Sequence, residues 1–267
     1  NAVTIGVTKT DVVKAIFPIS AKTYWFASVY MGLLVLMPFV SMVAARLTRR
    51  QYQYLLGALT LFLSVNHMIF RVDTYGIFSG RELPWFIYLT LLAGYVKLHT
   101  KEDRRYAWYG FAGYVVSSLA VLASVYLSVK THQEDIGYFL NYNSPLALLG
   151  TLALFVCVRN LPWKESKLDG VILKVAGAAF GVYLIHDNYL IRYLVWDTFR
   201  VSKVAKTHWA MIYAVAVAAI VYLTCTLLEL LRQQLVKWFA PIWEKTLLYR
   251  KEQNLYLKIT KRVNDPS

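Results

Sequence analysis

Seven apolar runs, each closed by charged or turn-forming residues, set the pattern of this chain: 24–45, 55–70, 84–97, 107–129, 145–158, 171–185 and 209–231. A helix rises about 1.5 Å per residue, so about 20 apolar residues cross the ~30 Å hydrocarbon layer of a bilayer. Several of the runs reach that length and the others approach it. The predicted fold is all-α, a polytopic transmembrane helical bundle of about seven spans. Any chemistry it performs is expected at or inside a membrane.

Composition agrees with that pattern. Hydrophobic residues make up 58% of the chain and charged residues 16%, against about 25% charged in an ordinary soluble domain. The 267 residues are nearly all used by the runs and their short connections. A single membrane domain over 1–267 is therefore expected, of which 232–267 forms a basic tail. A net charge of +14 would also suit a nucleic-acid binder. Here the Lys and Arg residues occupy short loops between apolar runs, where such charges orient helices and meet anionic headgroups, so no nucleic-acid partner is expected. Cys157 and Cys225 lie within apolar runs and read as small buried hydrophobes rather than a disulfide pair. No cleavable signal segment precedes the first run, and the chain begins at Asn1 rather than Met. It is expected to be part of a longer protein.

Alternate connections differ in basic content. One set, which includes the loop charges Arg46, Arg49, Arg50 and Arg159 and ends in the tail from Arg232 to Arg262, carries eighteen Lys and Arg; the other, which includes Arg81, carries ten. The positive-inside rule puts the richer set in the cytoplasm. Without the tail the two sets are equal, so the tail decides an orientation with residue 1 outside and residue 267 inside. The pattern 227–248 continues helix-like past the last run. Glu229 and Arg232 are spaced to pair at i,i+3, and Trp238, Phe239, Ile242 and Trp243 interleave with Lys237 and Lys245. That suits either an interfacial amphipathic segment or a solvated helix end with snorkelling lysines.

On this topology, polar side chains gather at the outer ends of runs. The second run closes with Asn66, His67, Arg71 and Asp73; His67 and Arg71 share a helical face. The sixth leads into His186, Asp187, Asn188 and Arg192, and the first opens with Tyr24 and Trp25. Two imidazoles with carboxylates and arginines could perform acid–base work on a hydroxyl and hold an oxyanion. His67 and His186 are the catalytic candidates; Tyr24, Trp25, Arg71, Asp187 and Asn188 are the substrate-binding ones. Each also has a plainer explanation. Both histidines lie close to an interface, Arg71 and Arg192 could be snorkelling anchors, and Tyr24 and Trp25 suit an aromatic belt. No glycine-rich phosphate loop, CxxC or HExxH occurs, and the five histidines are too scattered for a metal site. Gly177 and Gly181 form a GxxxG that allows close helix packing.

Three segments resemble a known family. FPISAKTYWFASVYMGLLVLMPFV is similar to its Pro-Ile, Tyr-Trp-Phe and Tyr-x-Gly-Leu-x-x-x-x-Pro-Phe motif. AAFGVYLIHDNYLIRYLVWD is similar to its late helix with a Gly-Val-Tyr-Leu-Ile-His run, and PWFIYLTLLAGYVKLH to its short middle span. Together, from Phe17 to about Trp238, they resemble the integral-membrane acyltransferase family 3, O-acyltransferases of bacterial cell-envelope sugars. The resemblance implies about ten helices with both termini cytoplasmic, of which this chain corresponds to the last seven. The arginine and histidine regarded as that family's catalytic centre would lie upstream of Asn1. His186 matches the histidine of the Tyr-Leu-Ile-His run; Tyr24, Trp25 and Phe26 match Tyr-Trp-Phe.

The expected activity is transfer of an acyl group, most simply acetyl, from acyl-CoA (acetyl-CoA) to a hydroxyl of an envelope carbohydrate. The donor is a substrate and no bound cofactor is expected. The expected location is the bacterial cytoplasmic membrane. The upstream histidine would be the base, with His186 supporting the site or orienting the acceptor and Asp187, Asn188 and Arg71 contacting the sugar. Two rivals remain: a transporter or flippase for an envelope lipid or sugar, and an inactive, truncated membrane bundle.

Overall fold

The computed structural model describes residues 16, 19, 21, 23–70, 78–132, 137–164, 166–204 and 207–244. Among them there is no strand. Among the described residues, six helical segments have the length and apolarity to cross a bilayer: Trp25–Arg46 (α1), Arg49–Phe70 (α2), Arg104–Lys130 (α4), Tyr138–Arg159, Asp169–His186 (α6) and Ala210–Pro241. The run at 84–97 is also a helix, Leu83–His99 (α3), but of 17 residues. At about 1.5 Å per residue it falls a little short of the hydrocarbon thickness. Exposed large side chains lie along the helices, among them Leu122 at 65%, Tyr126 at 66% and Met211 at 80%. A water-soluble protein would bury that surface; hydrocarbon solvates it without cost.

Two compact units divide the chain, Asn1–Lys164 and Glu165–Ser267. In the first, α3 is the hub, packing against α1, α2 and α5 (Pro145–Arg159). Its Trp85, Tyr88 and Leu91 join Tyr52, Leu56, Leu63 and Leu148 in a buried cluster. The phenols in that cluster are satisfied internally: Tyr52 donates to Leu91 O at 2.9 Å, and Tyr88 pairs with Thr60 Oγ1 at 2.7 Å. In an apolar setting an unpaired hydroxyl would cost a few kcal/mol, so these bonds fix which helical faces meet.

The second run begins earlier than its apolar residues suggest. Thr48 caps the helix, and Gln51 Oε1 accepts from Thr48 N at 3.0 Å in a capping box, which carries α2 back to Arg49. Helices α4 and α5 meet along small residues. A side chain at Gly110 would strike the backbone at Ala153 and Cys157, and Ser117 faces Gly150. This is close backbone approach of the small-residue type found between membrane helices.

Arg159, counted above as a loop charge, is a helix cap. Its guanidinium bonds Val96 O and reaches Thr100 Oγ1 at 2.9 Å and Thr100 O at 3.2 Å, covering the carbonyls that end α3. Its side chain is 15% exposed and lies 3.6 Å from Glu102. A cation at a helix C-terminus meets both the unpaired carbonyls and the negative end of the dipole. Arg159→Ala is expected to lower stability by about 1.5–3 kcal/mol, read as a drop in melting temperature in detergent. Arg159→Lys keeps the charge but loses the planar fork, so only partial recovery is expected.

The second unit holds α6, then Tyr189–Phe199 (α7), Val201–Val204 (α8) and Ala210–Glu244 (α9). The last is a 35-residue helix, so the helix-like continuation beyond the seventh run is real as far as Glu244. Trp238 and Phe239 on it are each 64% exposed. Lys245 and everything after it lie outside the described residues. Cys157 and Cys225 are both buried and unpaired with one another.

Candidate functional site

Helices α6 and α9 pack against each other. A side chain at Gly181 would overlap the Glu229 carboxylate, and Gln233 Nε2 reaches Gly177 O at 3.5 Å. The GxxxG pair therefore packs antiparallel against α9, with 177 opposite 233 and 181 opposite 229. On that register His186, the last residue of α6, is level with the middle of Ala210–Pro241, about 20 Å along the helix from Ala210. The chain then turns through Asp187 and Asn188 and resumes as α7, whose Phe199 O accepts from Tyr213 Oη at 2.6 Å. Segments α6 and α7 thus form one broken helix running beside α9. His186 was expected where a span meets water. It ends a helix as expected, but that end is a break part-way along the α9 traverse.

Asp187 and Asn188 are poor helix-interior residues whose side chains compete for backbone groups. Asn188 O accepts from Arg192 N at 2.8 Å and starts α7. Because α7 stands off from α9, a cleft of about 490 Å³ opens between them. One wall is small residues of α9, Ala214, Val217, Ala218 and Val221; Val195 and Trp196 of α7 face them. His186, Asp187, Arg192 and the Tyr222 phenol also line it.

Their geometry restricts what they can do. His186 Nδ1 is 2.9 Å from Val182 O. A carbonyl only accepts, so Nδ1 carries the hydrogen and, in the neutral ring, Nε2 carries the lone pair. Tyr183 meets the imidazole edge-on, ring centroids 6.1 Å apart. Arg192 Nη1 lies 3.6 Å from Asp187 Oδ1, with side-chain exposures of 52% and 22%. That pair is loose enough to leave most guanidinium donors for a ligand. The group offers a proton acceptor beside a cationic donor, as a hydroxyl and a carbonyl require.

The first unit gathers other candidates. Trp25 opens α1 and contacts Tyr142 with centroids 5.9 Å apart; the Arg81 guanidinium lies 5.7 Å from the Trp25 ring and 5.8 Å from the Tyr142 ring. Cation–π contact on two rings fixes Arg81, which the sequence reading treated only as a loop charge. Tyr24 precedes this helix, and its carbonyl accepts from Ser28. His67 lies in α2 just past a π-helical turn, Leu61–Val65. Such turns recur at functional sites. This one is tied to Asn143, which is fully buried: Ser64 Oγ donates to Asn143 O at 2.7 Å, and Asn143 Nδ2 to Leu63 O at 3.4 Å. Only the backbone of His67 is described, and Arg71 and Asp73 lie outside the described residues. His186, Asp187 and Arg192 are brought together in the second unit; Tyr24 and Trp25 belong to the first.

Glu229 is the polar residue whose setting sequence reading missed. Its pairing with Arg232 was expected, but not its burial: it is 3% exposed. Arg232 Nε and Nη2 each donate to it at 2.7 Å, and Gln233 Nε2 at 2.9 Å. A carboxylate within a spanning helix is costly unless held in this way. The signal available was the glycine pair, which makes room for it on the neighbouring helix.

A family model described as an acyltransferase domain matches residues 4–229. No curated protein and no solved structure matches the chain significantly. The matched residues take in the Tyr-Trp-Phe segment, the glycine pair and the His186 break, and end at Glu229. With helices of membrane-spanning length and a match covering most of its residues, this chain belongs to the membrane-embedded acyltransferase family 3.

Proposed function

We propose that this membrane acyltransferase moves an acyl group from acyl-CoA to a hydroxyl of a cell-envelope carbohydrate, in the bacterial cytoplasmic membrane. The supporting observation is the His186 imidazole, bonded through Nδ1 to Val182 O and lining the same cleft as Arg192. A hydroxyl is a weak nucleophile at neutral pH, and a thioester carbonyl reacts through a state with negative charge on oxygen. In this scheme His186 Nε2, rather than the upstream histidine that the resemblance implies, accepts the hydrogen of the sugar hydroxyl, Arg192 faces the carbonyl oxygen, and Asp187 and Asn188 contact neighbouring sugar hydroxyls. Oxygen bonds to the acyl carbon, the carbon–sulfur bond breaks, and the proton ends on the departing thiol. Tyr24, Trp25, His67 and Arg71, which belong to the first unit, are candidate substrate contacts on sequence grounds alone.

The test is direct. Membranes containing the protein are incubated in turn with acyl-labelled acetyl-, hexanoyl- and octanoyl-CoA, and the carbohydrate fraction is treated with mild alkali. Alkali-labile label on carbohydrate is expected. Label that never leaves CoA, or leaves it only for water, would refute the reading. The broken helix also suits a transporter, since such proteins bind cargo at interrupted helices; movement of unmodified carbohydrate across the membrane without ester formation would favour that alternative.

A further inference from the structure

We infer that the cleft between α7 and α9 holds a hydrocarbon acyl chain considerably longer than acetyl, with its carbonyl end at His186 and Arg192. The inference rests on the function proposed above and names the donor class.

Three properties of the cleft point the same way. The first is size. A cavity needs about 10–15 Å³ of such volume per water-sized group, so about 490 Å³ far exceeds the few heavy atoms of an acetyl group. The second is polarity. Away from His186, Asp187 and Arg192 the lining groups carry no charge and only two hydrogen-bonding side chains, the Trp196 indole and the Tyr222 phenol. Sugar hydroxyls or the phosphates of a nucleotide placed among them would lose hydrogen bonds to water without replacement. A methylene chain loses none. The third is complementarity at the polar groups. Arg192 and Asp187 offset each other in charge, so these groups suit a neutral carbonyl group better than a free anion. The guanidinium can donate to a carbonyl oxygen, and His186 lines the same cleft.

The wall on α9 explains how the hollow arises. From Ala214 to Val221 the helix reads AVAVAAIV, with no side chain larger than isoleucine, so where α7 stands off nothing from α9 fills the space left between them. This wall belongs to the span Ala210–Pro241. A chain therefore reaches it from hydrocarbon, without carrying a polar group through. A bilayer phospholipid offers the same chemistry from another source, and the experiment separates the two.

Trp196 reports occupancy. The protein in detergent is titrated with dibromostearoyl-CoA, whose bromines quench nearby indoles, and the Trp196 share is isolated by comparison with Trp196→Phe. Saturable quenching is expected. It should be displaced by an acetyl-, butyryl-, hexanoyl- and octanoyl-CoA series, with affinity rising up to about fourfold per methylene. Ala218→Phe, which fills the hollow, should abolish it. Ala214→Phe on the same wall is the second variant, and both are checked for unchanged melting temperature. A flat competition series, or quenching that survives both substitutions in folded protein, would overturn the inference. So would quenching by dibromo-phosphatidylcholine that no acyl-CoA displaces, since the cleft would then be a lipid site. Binding is read without turnover. Chain-length-dependent binding with no transfer would sink the proposed reaction alone, and acetyl transfer with no chain-length dependence would sink this inference alone.

Discussion

His186→Asn is expected to lower acyl transfer by about 10²–10⁴-fold while leaving the protein folded. The asparagine amide can donate to Val182 O where Nδ1 does now, so the end of α6 keeps its bond. What disappears is the basic nitrogen. Transfer of labelled acyl groups to carbohydrate, measured beside the melting temperature in detergent, separates the two roles. Unchanged melting with lost transfer supports chemistry at this residue. Equal transfer by wild type and His186→Asn would remove His186 from the reaction and leave it a structural residue at a helix break. His186→Ala is the less informative variant, since it removes both nitrogens and leaves the break less constrained.

Gly181→Val should destabilise the second unit by about 3 kcal/mol or more. Overpacking alone costs roughly 1–3 kcal/mol. Here the added methyls enter the space of the Glu229 carboxylate, which accepts three hydrogen bonds from Arg232 and Gln233. Displacing it leaves a charge poorly paired within a spanning helix. A double-substitution cycle tests the cause. Gly181→Ala and Glu229→Ala each lower the melting temperature, but the pair together should cost less than their sum, because removing the carboxylate makes room for the methyl. Strict additivity would show that Gly181 is needed for some reason other than Glu229.

The spans were legible because bilayer thickness imposes a length that no tertiary contact can alter. The run 107–129 became Arg104–Lys130 and the run 171–185 became Asp169–His186. The exceptions have local causes. A capping box at Thr48 lengthened α2, and the run at 84–97 stayed at 17 residues while serving as the hub of the first unit. The candidate site was less legible. His186 could be singled out by its motif, yet its neighbourhood depended on where Asp187 and Asn188 let the chain resume, and on the small side chains of α9 some thirty residues later. Arg159 and Arg81 read as topology charges, and only their contacts made one a helix cap and the other a ring-bound cation.

By itself the sequence determined an all-helical membrane protein, the approximate spans and the acyltransferase family, because each follows from local composition or from a contiguous motif. The tertiary structure alone decided that Gly181 accommodates a buried carboxylate, that the His186 end is a break beside a long helix, and that an apolar cleft opens there. Those outcomes depend on the register between helices distant in sequence. Hydrophobicity sets how long a helix is but says nothing about which residue of its neighbour lies opposite.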